Sequence, residues 1–215
     1  MYGGNTMTTK EKILKEALEL FAVKGYDGVS VREIAGAVGV RESALYKHFK
    51  NKEDILNNII DATKERIAGA YIENQVPEAV EPDVAGGYRR LTTEKLCEIS
   101  WNLFQLYTKD PVVSNIRKLL MREQFSNPII AKKYNQFFLN GVVERQAQTF
   151  AALVEDGFFR KEDTKIIALQ FYGPIFLLFQ RYDCEPEQEE AIKRMLYEHV
   201  RAFGRNYSRK EEQAL

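Results

Sequence analysis

Residues Ser30 to Lys52 read SVREIAGAVGVRESALYKHFKNK, and the reading of this stretch decides the fold. Ser30 stands three residues before Glu33, so its hydroxyl can cap a backbone N–H at a helix start while the Glu33 carboxylate reaches back, a capping box. Ile34, Ala35 and Val38 then supply an apolar face. Ala35 is small enough to let a second helix cross closely, and Gly39 permits the left-handed backbone that a sharp turn needs. From Val40 the buried pattern restarts and runs through Ala44, Leu45, His48 and Phe49, while Arg41, Glu42, Ser43, Tyr46 and Lys47 lie mostly on the other side. Two short helices joined by a glycine turn, with a basic and aromatic end, form the pattern of a DNA-reading helix-turn-helix. Asn51, followed at capping distance by Asp54, starts another helix. Lys52 in its first turn opposes the helix dipole, a conflict that an anion such as a phosphate would resolve.

Upstream, Thr8 and Glu11 form a second capping box, Ile13, Leu14, Ala17, Leu18 and Phe21 repeat at helical spacing, and Gly25 follows Lys24 as a stop. The order of this helix, then GYDGVSVREIAGAVGV, then ALYKHFKNKED, resembles the N-terminal domain of the TetR family of bacterial transcriptional regulators over residues 9 to 56. The resemblance implies a helix-turn-helix DNA-binding domain over 1–54, a helical ligand-binding and dimerisation domain over 55–215, and a second motif helix that docks in the major groove. It places Arg32, Arg41, Ala44, Tyr46, Lys47, His48 and Lys52 at the DNA, with Glu42 and Ser43 beside them. Tyr46 and His48 would donate to phosphate oxygens, Lys52 would pair with phosphate, and Arg32, Lys47 and Ala44 would meet base edges. Side-chain chemistry agrees, since Arg and Lys suit guanine acceptors and a small apolar group can touch a thymine methyl. Two positions depart from the family pattern: Arg41 stands where a small hydroxyl residue is usual, and Glu42 brings a negative charge close to the phosphates. His48 has a plain structural alternative, packed beneath Tyr46 against the first helix. Phe49 and Leu45 are expected in the core, and Lys50 as a solvated charge.

The chain has 215 residues, 45% hydrophobic and 29% charged, which fits a soluble globular protein large enough for two small domains. Its formal net charge of zero hides an asymmetry: residues 1–52 hold nine Lys and Arg against six Asp and Glu, a local +3 that leaves −3 elsewhere. The basic end is the expected DNA end. Cys97 and Cys184, far apart in sequence, read as free thiols of a reducing compartment, with a redox switch as the alternative. The opening MYGGNTM has neither a basic region nor an apolar run, so no signal peptide is expected, Met7 is an alternative start, and residues 1–6 are expected to be unstructured. The apolar cluster Ile166–Phe179 falls short of the ~20 residues of a bilayer span and is broken by Gln170 and Gly173-Pro174, so no membrane partner is expected and the chain is placed in the cytoplasm.

Beyond Asp54 the pattern is all-α: a connecting helix to about Ile72, an acidic linker over 73–87, and helices over about 88–108, 111–125, 128–156, 163–182 and 186–206. Ile192, Met195, Leu196, His199, Val200 and Phe203 form a stripe at helical spacing, and 166–179 is apolar nearly all round. A homodimer bundle on a palindromic operator is the economical reading, and the resemblance implies dimerisation through the last two helices; the alternative for the stripe is packing within one chain. Between the two ends lies an aromatic cluster. From it Trp101, Phe104, Tyr134, Phe137, Phe138, Tyr172 and Phe176, with Met121, are the candidates to line a pocket for an aromatic or amphipathic inducer, the alternative being plain core. The Gly173-Pro174 pair is expected to kink its helix and open a gap beside them. With only two histidines and no Gly-rich phosphate loop, nucleophile elbow or spaced Cys/His ligand set, neither catalytic nor metal residues are assigned, and no cofactor is expected. The leading reading is a repressor released by a small molecule. The alternatives are a DNA-binding regulator or architectural protein without inducer, and an all-helical binding module or enzyme.

Overall fold

Capping chemistry sets where the helices begin. In the computed structural model, which describes residues 7–77 and 81–209, eleven α-helices run in order among the described residues. They are α1 (Thr9–Lys24), α2 (Val31–Val38), α3 (Glu42–Leu45), α4 (Lys52–Glu73), α5 (Val84–Arg89), α6 (Thr93–Lys109), α7 (Pro111–Glu123), α8 (Pro128–Phe138), α9 (Asn140–Glu155), α10 (Thr164–Cys184) and α11 (Glu189–Tyr207). Both capping boxes form: Thr8 and Glu11 close on one another ahead of α1, and Ser30 and Glu33 ahead of α2. Asp110 and Asp163 cap α7 and α10, and the Asn51 amide oxygen accepts from the Asp54 N–H at the start of α4. No strand occurs among the described residues; a single antiparallel bridge joins Phe159 to Ser208. Residues 1–6, expected to be unstructured, and 78–80 of the acidic linker lie outside the described residues.

Three expectations are corrected. The 73–87 linker holds the short helix α5, started by Asp83, whose carboxylate accepts from the Gly86 N–H at 2.9 Å. The expected single helix over 128–156 is two, α8 and α9, broken at Leu139 with φ −117° and ψ −100°. At this break Gly141 is required, because a side chain there would run into the Gln136 carbonyl. Conversely, α10 continues as one helix through Pro174, which has no N–H to give to its own turn.

The chain divides into two compact units, residues 1–69 with 110–134, and residues 70–109 with 135–215. In the first, α1 buries Ile13, Ala17, Leu18 and Phe21 against α2 and α7. Leu45, Phe49, Ile55, Leu56 and Ile59 complete this core. The C-terminal end of α7 grips the turn after α1: Arg122 donates to the Phe21 and Ala22 carbonyls at 3.3 and 3.2 Å, and the Glu123 carboxylate accepts from the Tyr26 N–H at 2.9 and 3.0 Å. Asp110 joins α7 to α4, taking the Arg66 Nε–H at 2.6 Å while capping Val112 and Val113.

In the second unit α10 packs on α9 and α11, and α11 lies along α6. This placement corrects the dimer stripe. Ile192, Leu196, Val200 and Phe203 are buried within the chain's own core, beside Cys97, Trp101, Phe104, Phe179 and Phe150, and cannot also face a second subunit. Helical periodicity reports that a face is buried, not which chain buries it. His199 is held inside the unit as well, its Nε2 at 2.8 Å from the Phe171 carbonyl oxygen. Only Met195 of the six is exposed, at 48%, and the apolar side chains left open on α10 are Ile166, Leu169 and Leu177. No helix among the described residues is long and apolar enough to cross a membrane. Both cysteines are free, Cys97 buried with its thiol 3.7 Å from the Tyr197 carbonyl and Cys184 exposed.

Candidate nucleic-acid interface and apolar cavity

The helix-turn-helix is built by three local devices. Ser30 and Glu33 start α2, and Lys24 adds an ion pair to Glu33 at 2.9 Å. That lysine, together with the Ser30 N–H and hydroxyl, holds the Glu33 carboxyl at a pKa of about 2. Gly39 then takes φ 78° and ψ 28°, giving its N–H to the Ala35 and Gly36 carbonyls, and turns the chain into α3. The third device is tightening at the far end, where the His48 and Phe49 N–H groups both reach the Leu45 carbonyl at 2.9 Å. Only Glu42–Leu45 is regular α-helix, so the expected helix from Val40 to Phe49 is shorter than its pattern suggested.

Arg32, Arg41, Glu42, Ser43, Tyr46, Lys47 and His48 are exposed and Ala44 is half-buried, with Leu45 and Phe49 turned into the core. Of the two readings of His48, packing beneath Tyr46 does not occur; its ring is open and lies 6.3 Å from that of Phe49. Lys52 behaves differently from its neighbours. Its ammonium donates to the Tyr26 and Val29 carbonyls at 2.8 and 2.9 Å and sits 4.4 Å from the Tyr26 ring centre. Two of its three donors are thereby used inside the domain. The dipole conflict at Lys52 is relieved in part from inside, by the Tyr26 and Val29 carbonyls, with one donor left for an anion.

Residues 13–59 fit the model of bacterial regulatory proteins of the tetR family. The matched segment is a TetR-family helix-turn-helix domain. Over 52 residues, 24% of this chain and 28% of the relative, it is 38% identical to the IcaR negative transcriptional regulator of the icaADBC biofilm operon of Staphylococcus epidermidis. Over 74 residues, 34% of each chain, it is 36% identical to the HTH-type transcriptional regulator AcrR of Shigella flexneri. The matched segments span about a third of these curated relatives. Likeness of fold extends further. The SmeT–triclosan complex superposes with a TM-score of 0.75 over 95% of this chain and 94% of that one at 17% identity, SmeT being the repressor of the SmeDEF multidrug efflux pump of Stenotrophomonas maltophilia.

Like its TetR-family head, the second unit carries a feature suited to binding. A cavity of about 130 Å³ lies among α6 (Leu96, Ile99, Ser100, Leu103), α9 (Gln146, Phe150, Leu153), α10 (Phe171) and α11 (Val200, Phe203, Gly204). Phe158 and Phe159 of the α9–α10 turn close it, with Ser208, and Tyr71, Val76, Pro77, Tyr88 and Leu91 complete the wall. None of the residues expected to line a pocket is in the wall of this cavity. Trp101 and Phe104 stack on each other at 5.4 Å, and Phe104 on Phe179 at 5.0 Å. Phe137 packs on Phe138 at 4.5 Å, and the Tyr172 hydroxyl donates to the Phe138 carbonyl at 2.9 Å with its ring near Phe176. Met121 and Tyr134 belong to the first unit. Rings at helical spacing fill space against one another, which is why they mark core. The legible signals for the cavity were the small residues Ser100 and Gly204 on otherwise apolar helix faces, and the Phe158-Phe159 pair after Gly157.

Proposed function

We propose that this chain is a sequence-specific transcriptional regulator that binds a palindromic operator as a homodimer in the cytoplasm, and a repressor released when a small molecule occupies the cavity. On this reading DNA recognition belongs to residues 1–54, ligand binding and dimerisation to 55–215, and no catalytic step is involved. The observation that carries it is the exposed face of the helix-turn-helix, where Arg32, Arg41, Tyr46, Lys47 and His48 stand free of the core within the family-matched segment. Arg32, Lys47 and Ala44 would meet bases, Tyr46 and His48 phosphates, and Arg41 and Ser43 the flanking backbone, with Glu42 excluding phosphate from its side. That IcaR is a negative transcriptional regulator and SmeT a repressor that forms a complex with triclosan supports both halves of the proposal.

The dimer face is reassigned with the stripe. Ile166, Leu169 and Leu177 are exposed at helical spacing on α10 and Met195 is exposed on α11, with Arg181 donating to its sulfur at 3.1 Å, so open apolar side chains stand on both terminal helices. Exposed apolar side chains gathered on one face mark interaction sites. Fluorescence anisotropy on a palindromic duplex selected by the protein tests the reading. The parent should bind as a dimer, Leu177→Arg should give monomers with most of the affinity lost, and Lys47→Ala should relax preference at one base position. Parent-like binding by both variants would contradict the docking scheme.

A further inference from the structure

The cavity has a chemical character that narrows what can enter it. Among its lining residues there is no Asp, Glu, Lys, Arg or His. Two arginines on this side are engaged: Arg89 sits over the lining ring of Phe158 and pairs with Asp156, and Arg160 sits over Tyr207. Ser100 gives its hydroxyl to the Leu96 carbonyl at 2.8 Å. Gln146, by contrast, lines the space half-buried and brings the one side-chain amide in its wall. An adjoining open groove shares Val76, Pro77 and Leu91 with the cavity and adds Glu81 and Arg90. There Arg90 pairs with Asp83 at 3.3 Å in solvent, outside the cavity itself.

Burying an ionised group without a partner is far more costly than burying a neutral one that keeps its hydrogen bond. A dry apolar cavity of roughly 150 Å³ accepts a single benzene ring, which sets the size scale for a cavity of about 130 Å³. Resting on the effector reading above, we propose that this cavity selects a small uncharged molecule, built on one ring with a single hydrogen-bonding substituent directed to Gln146, and rejects carboxylates and ammonium ions. Of the aromatic and amphipathic classes expected from sequence, the neutral aromatic one fits.

Three one-ring probes of matched size test this on the full chain by isothermal titration calorimetry: 2-phenylethanol, phenylacetate and 2-phenylethylamine. Gly204→Leu serves as the plugging variant, since a Cβ at Gly204 would meet no atom within 4 Å and the helix tolerates the change. The neutral alcohol should bind at least ~10-fold more tightly than either ion. Its binding should vanish in Gly204→Leu and weaken up to ~10-fold in Gln146→Leu, which removes one hydrogen bond. If an ion binds as tightly as the alcohol and Gly204→Leu abolishes it, the neutral class is overturned while the effector reading stands. If binding survives Gly204→Leu in a folded variant, or no probe binds the parent, the cavity is not the site and the effector reading falls with the proposal.

Discussion

Lys47 and Lys52 carry the same charge into opposite roles. Lys47 is exposed, whereas Lys52 gives its ammonium to the Tyr26 and Val29 carbonyls. Lys52→Ala should therefore lower stability by about 1–2 kcal/mol in thermal melts, through carbonyls left without a charged donor, while Lys47→Ala leaves the melt unchanged. Equal melts for the two would contradict this division. Gly39 makes a second single-residue prediction. A Cβ there meets nothing within 4 Å, so the cost of Gly39→Ala is purely that of the left-handed backbone, about 1 kcal/mol, and Gly39→Asn should recover part of it. Glu33 adds a pH dependence. Its folded pKa of about 2 lies below the ordinary carboxylate range, so its contribution is fully present above that range and is lost as pH falls toward 2. The group is exposed and screened, so the effect is modest; Glu33→Gln should flatten the acid limb of the melting profile, and an unchanged limb would remove the capping box from the account.

At the scale of elements, legibility followed chemistry that is local in sequence. Capping residues, prolines and the Gly39 turn announce helix starts and stops, and Thr8, Ser30, Asp110 and Asp163 all serve as expected. What the pattern could not disclose was the partner of each apolar face. Ile192, Leu196, Val200 and Phe203 read equally well as a dimer seam or as the inner face of α11, and only the packing of α11 on α6 decides. The break at Leu139 was equally hidden, since neither a proline nor a capping side chain marks it and only the folded backbone brings Gly141 against the Gln136 carbonyl. The joint between α10 and α11 supports a further prediction. Burial lowers the His199 pKa, opposed in part by its contact with the Phe171 carbonyl. Its stabilisation is present above the ordinary histidine pKa and is lost as pH falls through it toward the depressed folded value. The parent should melt lower at mildly acidic pH than at neutral pH, and His199→Gln should lose that difference; a pH slope that persists in the variant would place the titration elsewhere.

For the molecule as a whole, the all-helical class and the reading head were legible because a short motif fixes its own turn, caps and exposed face. The cavity was not, because its volume comes from what is missing at Ser100 and Gly204, while the conspicuous aromatics fill core. The central claim is that two such heads, paired through the exposed apolar side chains of α10 and α11, read DNA sequence. Selection of bound duplexes from a random-sequence pool with the purified chain, followed by sequencing, tests it most directly. The account predicts enrichment of a palindrome with half-site centres about 34–36 Å apart or a multiple of that spacing. Recovery of unenriched sequence at low salt would contradict it.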